Sequence, residues 1–314
     1  YSMEKNIMDD QLFLDAMISE FQIEDLNVLY AQIRKDGKVT GEYKRTPNKT
    51  RLNLFSVSKS VVSCGAGIAI DEGLISKDEY ICDEFKEYVP KNASENLLGI
   101  KVENLLTMTS GLKTSLFFAD NSERYTVKDW IAHFFNAEFD AKAGEKFLYS
   151  NFNTYILSCM IERRAGVNLL NYMRDRFFEP LGVGNPDWTL CPKGHVHAAN
   201  GLYFNIDELG NFGQMLLDNG KFNGIQLVPE EYLKEAVKKQ VESVPVLGLD
   251  NPEEKNGYGY QFWMTHIPDT YLCYGNYGQF CLVMPKKNTV ISIQSFESNA
   301  SHMRDILLEF AEDI

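Results

Sequence analysis

Residues Phe55-Ser56-Val57-Ser58-Lys59-Ser60-Val61-Val62-Ser63-Cys64-Gly65-Ala66-Gly67-Ile68-Ala69-Ile70 carry the most informative pattern in the chain. From Ser60 onward the side chains are small and apolar on every side, which predicts a helix buried in the middle of a domain rather than a surface helix with one wet face. Asp71-Glu72-Gly73 ends it, with Gly73 as the expected C-terminal cap. Just upstream, residues 27–34 read as a strand, Asp36-Gly37 as a hairpin turn and Lys38–Lys44 as the returning strand. Before these, Leu12, Leu14, Met17, Ile18 and Phe21 lie on one face of a helix over residues 10–22.

The far end of the chain has the same character as the beginning. Residues 258–265, 270–274, 279–285 and 289–296 read as strands, with a turn at Pro285-Lys286-Lys287-Asn288, and residues 299–312 as a terminal helix. Between the two ends the pattern is helical, at 100–110, 126–136, 150–181 with a break at Gly166, 206–219 and 229–241. Residues 182–200 and 245–257 read as loops. Strands at both ends pair most simply into one antiparallel sheet flanked by helices, an α/β (α+β) fold with a large helical insertion. The expected division is residues 1–75 with 250–314 for the sheet part and 76–249 for the helical part, the site lying at their junction.

Ser56-Val57-Ser58-Lys59 places a hydroxyl and an amine three residues apart on one helical face. A serine hydroxyl is a weak nucleophile until a base takes its proton, and a lysine can do so if burial lowers its pKa. Ser56 in the first turn also brings its own N–H to where an oxyanion could sit. The spacing alone is weak, since about one such match is expected by chance in a chain of this size. Ser110-Gly111-Leu112-Lys113 is a rival match, and the bland reading of Ser56 is a helix cap. Context favours Ser56, which opens a buried helix directly after two strands. Tyr149-Ser150-Asn151 is a second candidate, because a tyrosine beside a cation can move a proton and the asparagine amide can bind a carbonyl. Tyr203-Phe204-Asn205 and Tyr274-Gly275-Asn276 share that spacing.

Several function classes drop out. The 314 residues carry 44 acidic and 31 basic side chains, a net charge of −13, which argues against nucleic-acid partners and against adhesion to an anionic membrane. No apolar run reaches the roughly 18 residues a membrane span needs. There is no GxSxG, HExxH, P-loop or GxGxxG after a strand. His195 and His197 have metal-ligand spacing but no third ligand nearby, so no metal is expected. The six cysteines form no CxxC pair and read as free thiols, which points to a reducing, cytoplasmic setting. The first residues show no charged segment followed by an apolar one, so no leader is read there.

Together these stretches resemble the serine β-lactamase and penicillin-binding-protein superfamily, in the branch with class C β-lactamases, D-amino-acid peptidases, family VIII esterases and 6-aminohexanoate-dimer hydrolase. Phe55-Ser56-Val57-Ser58-Lys59-Ser60 is similar to its nucleophile motif. Leu105-Leu106-Thr107-Met108-Thr109-Ser110-Gly111-Leu112 is similar to its LLTHTSGL segment, with Met108 in place of the usual histidine, which makes the rival Ser110 scaffold. Phe147-Leu148-Tyr149-Ser150-Asn151 is similar to its YSN motif, and Phe178-Glu179-Pro180-Leu181-Gly182 and Gly257-Tyr258-Gly259-Tyr260-Gln261-Phe262-Trp263 are further matching stretches. The departure is at the KTG or HTG strand, here Cys273-Tyr274-Gly275-Asn276, where Cys273 replaces the cation and only Gly275 is kept.

The resemblance implies a β-lactamase/transpeptidase-like fold and a serine hydrolase cleaving an ester or amide through an acyl group on Ser56. It implies that Lys59 and Tyr149 manage the proton, that Asn151 orients the substrate, and that the N–H of Asn276, following Gly275, joins that of Ser56 around the oxyanion. No cofactor is implied, and the expected partner is a small ester, amide or peptide. The alternatives are a D-aminoacyl peptidase or weak β-lactamase, and a catalytically silent binding protein on the same fold.

Overall fold

The computed structural model describes residues 2–118, 121–246 and 251–314, with side chains from Asp9 onward. The two ends of the chain meet in one six-stranded antiparallel sheet. Across it lie Lys38–Lys44, Val28–Lys35, Thr289–Ser295, Gln279–Met284, Tyr271–Gly275 and Trp263–Met264. The expected first hairpin turns through Asp36 and Gly37, both at positive φ, a backbone hand that follows the twist of the strands. Its inner strand then pairs with the last strand of the chain, Ile33 lying opposite Ile291.

Both faces of the sheet are covered, and strand periodicity sorts the side chains between them. Cys281 and Val283 enter the core that holds the Val57–Asp71 helix, while Phe280, Leu282 and Met284 enter a second core. The helices Ser2–Ile23 and Ala300–Glu312 close that second face. On the first face, Ile206–Leu217 packs across the sheet and Val57–Asp71 lies beside Tyr271–Gly275. The Val57–Asp71 helix is buried without a break from Val57 to Ala69, as its uniformly small, apolar composition predicts. A Cβ on Gly67 would stand 2.5 Å from the Tyr232 ring, so the small residue allows the contact.

Some expected elements differ. Residues 258–265 shrink to a strand at Trp263–Met264. Gln261 sits at φ 70° with its buried amide donating to the carbonyls of Leu105 and Leu106, and these side-chain bonds displace a ladder. The loop over 182–200 contains Asp187–Trp188, which with Leu202–Phe204 and Leu52–Asn53 forms a small three-stranded sheet. Strands this short show no alternation for a sequence reading to find. The loop expected at 245–257 falls partly outside the described residues. We retain the two-part division as a proposal, noting that Ile206–Leu217, within residues 76–249, lies against the sheet.

Candidate active site

The turn that delivers Ser56 is built from strained backbone. Phe55 takes φ 46°, a left-handed conformation uncommon for an aromatic residue. Asn53 holds the turn, its Oδ1 accepting from the N–H of Phe55 at 2.8 Å and of Gly201 at 3.2 Å. The Phe55 ring leans on Tyr277, 5.1 Å between centroids. Ser56 stands at the cap position of the Val57–Asp71 helix, yet its hydroxyl makes no capping bond. Instead its Oγ lies 2.7 Å from Lys59 Nζ.

Lys59 is only 1 % exposed. It has no carboxylate partner among the described residues; its other hydrogen bond is to the Ala199 carbonyl at 3.3 Å. Burial in these surroundings disfavours the ammonium and drives its pKa well below the usual lysine range. Burial thus favours the neutral form of the amine next to Ser56.

Tyr149 closes the other side. Its ring lies 4.6 Å from Lys59 Nζ and stacks on Trp263, centroids 5.5 Å apart. Burial raises its phenol pKa, and the Ser56 hydroxyl, which bonds to the phenol, offsets this only in part. The sequence reading needed a neighbouring cation to lower the phenol, whereas burial here moves it the other way. Asn151, next but one, begins the Asn151–Ala165 helix capped by Ser150. Its Oδ1 is buried and unpartnered among the described residues.

Gly275 runs against the turn from the opposite side. A Cβ there would lie 2.3 Å from the Leu54 carbonyl and 3.2 Å from the Ser56 nitrogen, so only glycine allows this approach. It brings Asn276 beside Ser56, and neither residue's N–H has an acceptor among the described residues. Ser56, Tyr149, Asn151 and Asn276 all line one cavity of about 430 Å³. Cys273 does not line it; its thiol is buried in the core beside Cys281, directly opposite on the next strand.

The rival motifs take other roles. Ser110 Oγ donates to Asn153 Oδ1 at 2.7 Å, while Lys113 turns outward to Glu138. Met108, where the family segment has histidine, accepts at its Sδ from the Ser150 N–H and the Asn153 amide, both at 3.5 Å. Asn205 caps the Ile206–Leu217 helix. His195 pairs with Glu162, whereas His197 packs edge-on against Trp130.

The structure adds cavity residues that sequence reasoning missed. Glu254 and Arg304 stand on the wall, both buried, with Asp305 more exposed beside them. Arg304 had one visible signal: it occupies the apolar phase of a helix whose other members there are Ala300, Leu307 and Ala311. Asn200 also lines the wall, its Nδ2 buried and unpartnered among the described residues.

A family model described as Beta-lactamase matches residues 14–310. The 6-aminohexanoate-dimer hydrolase of Paenarthrobacter ureafaciens is 24% identical over 253 residues, covering 74% of this chain but only 63% of that protein. Among solved structures, the hydrolase EstCE1, which has promiscuous acyltransferase activity, superposes with a TM-score of 0.77 at 15% identity, covering 99% of both chains. The octameric penicillin-binding protein homologue of Pyrococcus abyssi gives 0.74 at 18% identity, covering 97% of this chain and 78% of that one. The match across nearly the whole chain shows that it belongs to the β-lactamase family, with the fold expected from its motifs.

Proposed function

We propose that this member of the β-lactamase family is a serine hydrolase that cleaves a small ester or amide through an acyl group on Ser56. The observation that carries the reading is the 2.7 Å contact between Ser56 Oγ and a buried lysine amine without a carboxylate partner among the described residues, at the edge of a cavity. The Ser56 O–H donates to the Lys59 lone pair and passes its proton there as Oγ attacks the substrate carbonyl. The N–H groups of Ser56 and Asn276 bond the oxygen as it gains charge. The proton leaves Lys59 through the Tyr149 phenol to the departing alcohol or amine, so the leaving group departs neutral and the amine is restored. Water then attacks the acyl group by the same proton path, and Asn151 orients the substrate. A role for Cys273 as stand-in for the usual cation finds no support, since the thiol lies in the core.

A fluorophosphonate probe followed by peptide mass analysis tests this. The expected result is one adduct, on Ser56, together with hydrolysis of p-nitrophenyl butyrate. Binding of ligands in the cavity without any adduct or turnover would instead mean a silent binding protein.

A further inference from the structure

The cavity lining carries charge that the proposed reaction does not use. Arg304 lines it, yet every nitrogen of its guanidinium has a local acceptor. Nε and Nη2 donate to Asp305 Oδ1 at 3.2 and 3.0 Å, Nη1 to Glu254 Oε1 at 3.4 Å, and Nη2 also to Asn251 Oδ1. Glu254 Oε2 accepts from the Val246 N–H at 2.7 Å and Oε1 from the Asn251 amide at 3.0 Å. The single guanidinium is therefore matched by two carboxylates. Lys59 is not one of the residues that line the cavity. Among the described residues the lining bears one positive and two negative groups.

The rest of the lining suits the same kind of guest. Phe55, Phe118, Tyr149 and Trp263 present aromatic surface, whose faces attract cations. Asn151, which is 6 % exposed, lines the cavity with an acceptor oxygen that has no donor. A buried acceptor without a partner costs free energy until a ligand donates to it. A carboxylate arriving here meets two carboxylates and a guanidinium they already match, with the unpartnered Asn200 N–H as a donor, whereas an ammonium group meets aromatic side chains, the Asn151 oxygen and the carboxylates.

We propose that this cavity recognises a substrate bearing an organic cation, an ammonium or alkylammonium group, with Asp305 as the specificity-determining carboxylate and Arg304 as the group that holds Asp305 in place. The inference rests on the reading of this cavity as the substrate site and narrows its substrate class.

Binding measured by calorimetry on the Ser56→Ala protein tests it without relying on turnover. Three probes of similar size are compared at low salt: butyltrimethylammonium, neutral 3,3-dimethylbutanol and butyrate. The cation is expected to bind about fivefold to tenfold more tightly than the alcohol, with butyrate weakest. Asp305→Asn should remove most of that preference and improve butyrate binding, because it leaves Arg304 less matched. Equal binding of the three probes, or no binding, overturns the proposal. Tightest binding of butyrate also overturns it and makes Arg304 a carboxylate receptor. If Asp305→Asn fails to fold, the three-probe comparison decides alone. The fluorophosphonate adduct on Ser56 is read separately, so failure of cation recognition is distinct from failure of the hydrolase assignment.

Discussion

An ammonium at Lys59 would be buried with no carboxylate partner among the described residues, so burial holds its pKa well below the usual lysine range. We expect kcat/KM for a neutral ester to rise with pH as Lys59 loses its proton and to level off well below pH 10.5. A profile still climbing at pH 10 would contradict this. The same burial acts on stability with a definite sign. In the window between the lowered folded pKa and the unfolded value near 10.5, the unfolded chain holds the proton and the folded chain does not. Stability therefore rises with pH there, and Lys59 weighs on the fold most at neutral and lower pH. Lys59→Met should abolish acyl transfer and raise the melting temperature at pH 7, by about 2 °C for each kcal/mol gained. Ser56→Ala should likewise abolish turnover, with Ser110→Ala leaving it intact, as single-turnover assays on folded proteins would show. Ser56 and Lys59 were legible as a pair because three-residue spacing on a helix implies contact. Arg304, Glu254 and Asp305 were not, since their meeting depends on how the terminal helix docks.

The strand Tyr271–Gly275 does more than extend the sheet. Its last residue, Gly275, lies against the Leu54 carbonyl and the Ser56 nitrogen and determines how close Asn276 comes to Ser56. Gly275→Ala would place a methyl group 2.3 Å from that carbonyl, and the strand must move away. A displacement near 1 Å at a reacting centre costs about a hundredfold in rate. We expect kcat to fall by about that factor, KM to change little and far-UV circular dichroism to be unaltered. An unchanged kcat would remove the strand from the oxyanion site. At this scale the long strands and helices were legible from periodicity. The strand expected over 258–265 was not correctly read, because the Gln261 amide bonds outcompete its pattern.

At the scale of the molecule, a second buried base tunes the response to acid. His197 is held neutral by burial, its pKa pushed down to about 3, and neither ring nitrogen has a partner among the described residues. Below its unfolded value near 6.5 the unfolded chain takes up a proton that the folded chain refuses, so stability falls as pH drops from 6.5 toward 3. Chemical denaturation across that range should show a loss for the natural chain that His197→Leu reduces; equal slopes for both would refute the assignment. The overall architecture was legible because strand-like ends around a helical middle leave few topologies. The pairing of the first strand with the last has a further consequence. Val28–Lys35 finds its inner neighbour only in Thr289–Ser295, so during synthesis the first hairpin waits for nearly the whole chain to emerge. Until then one long edge offers unpaired backbone groups to any passing strand. Sheet closure is a late, long-range event that slows folding, and the nascent chain is most prone to aggregate just before its last strand is made.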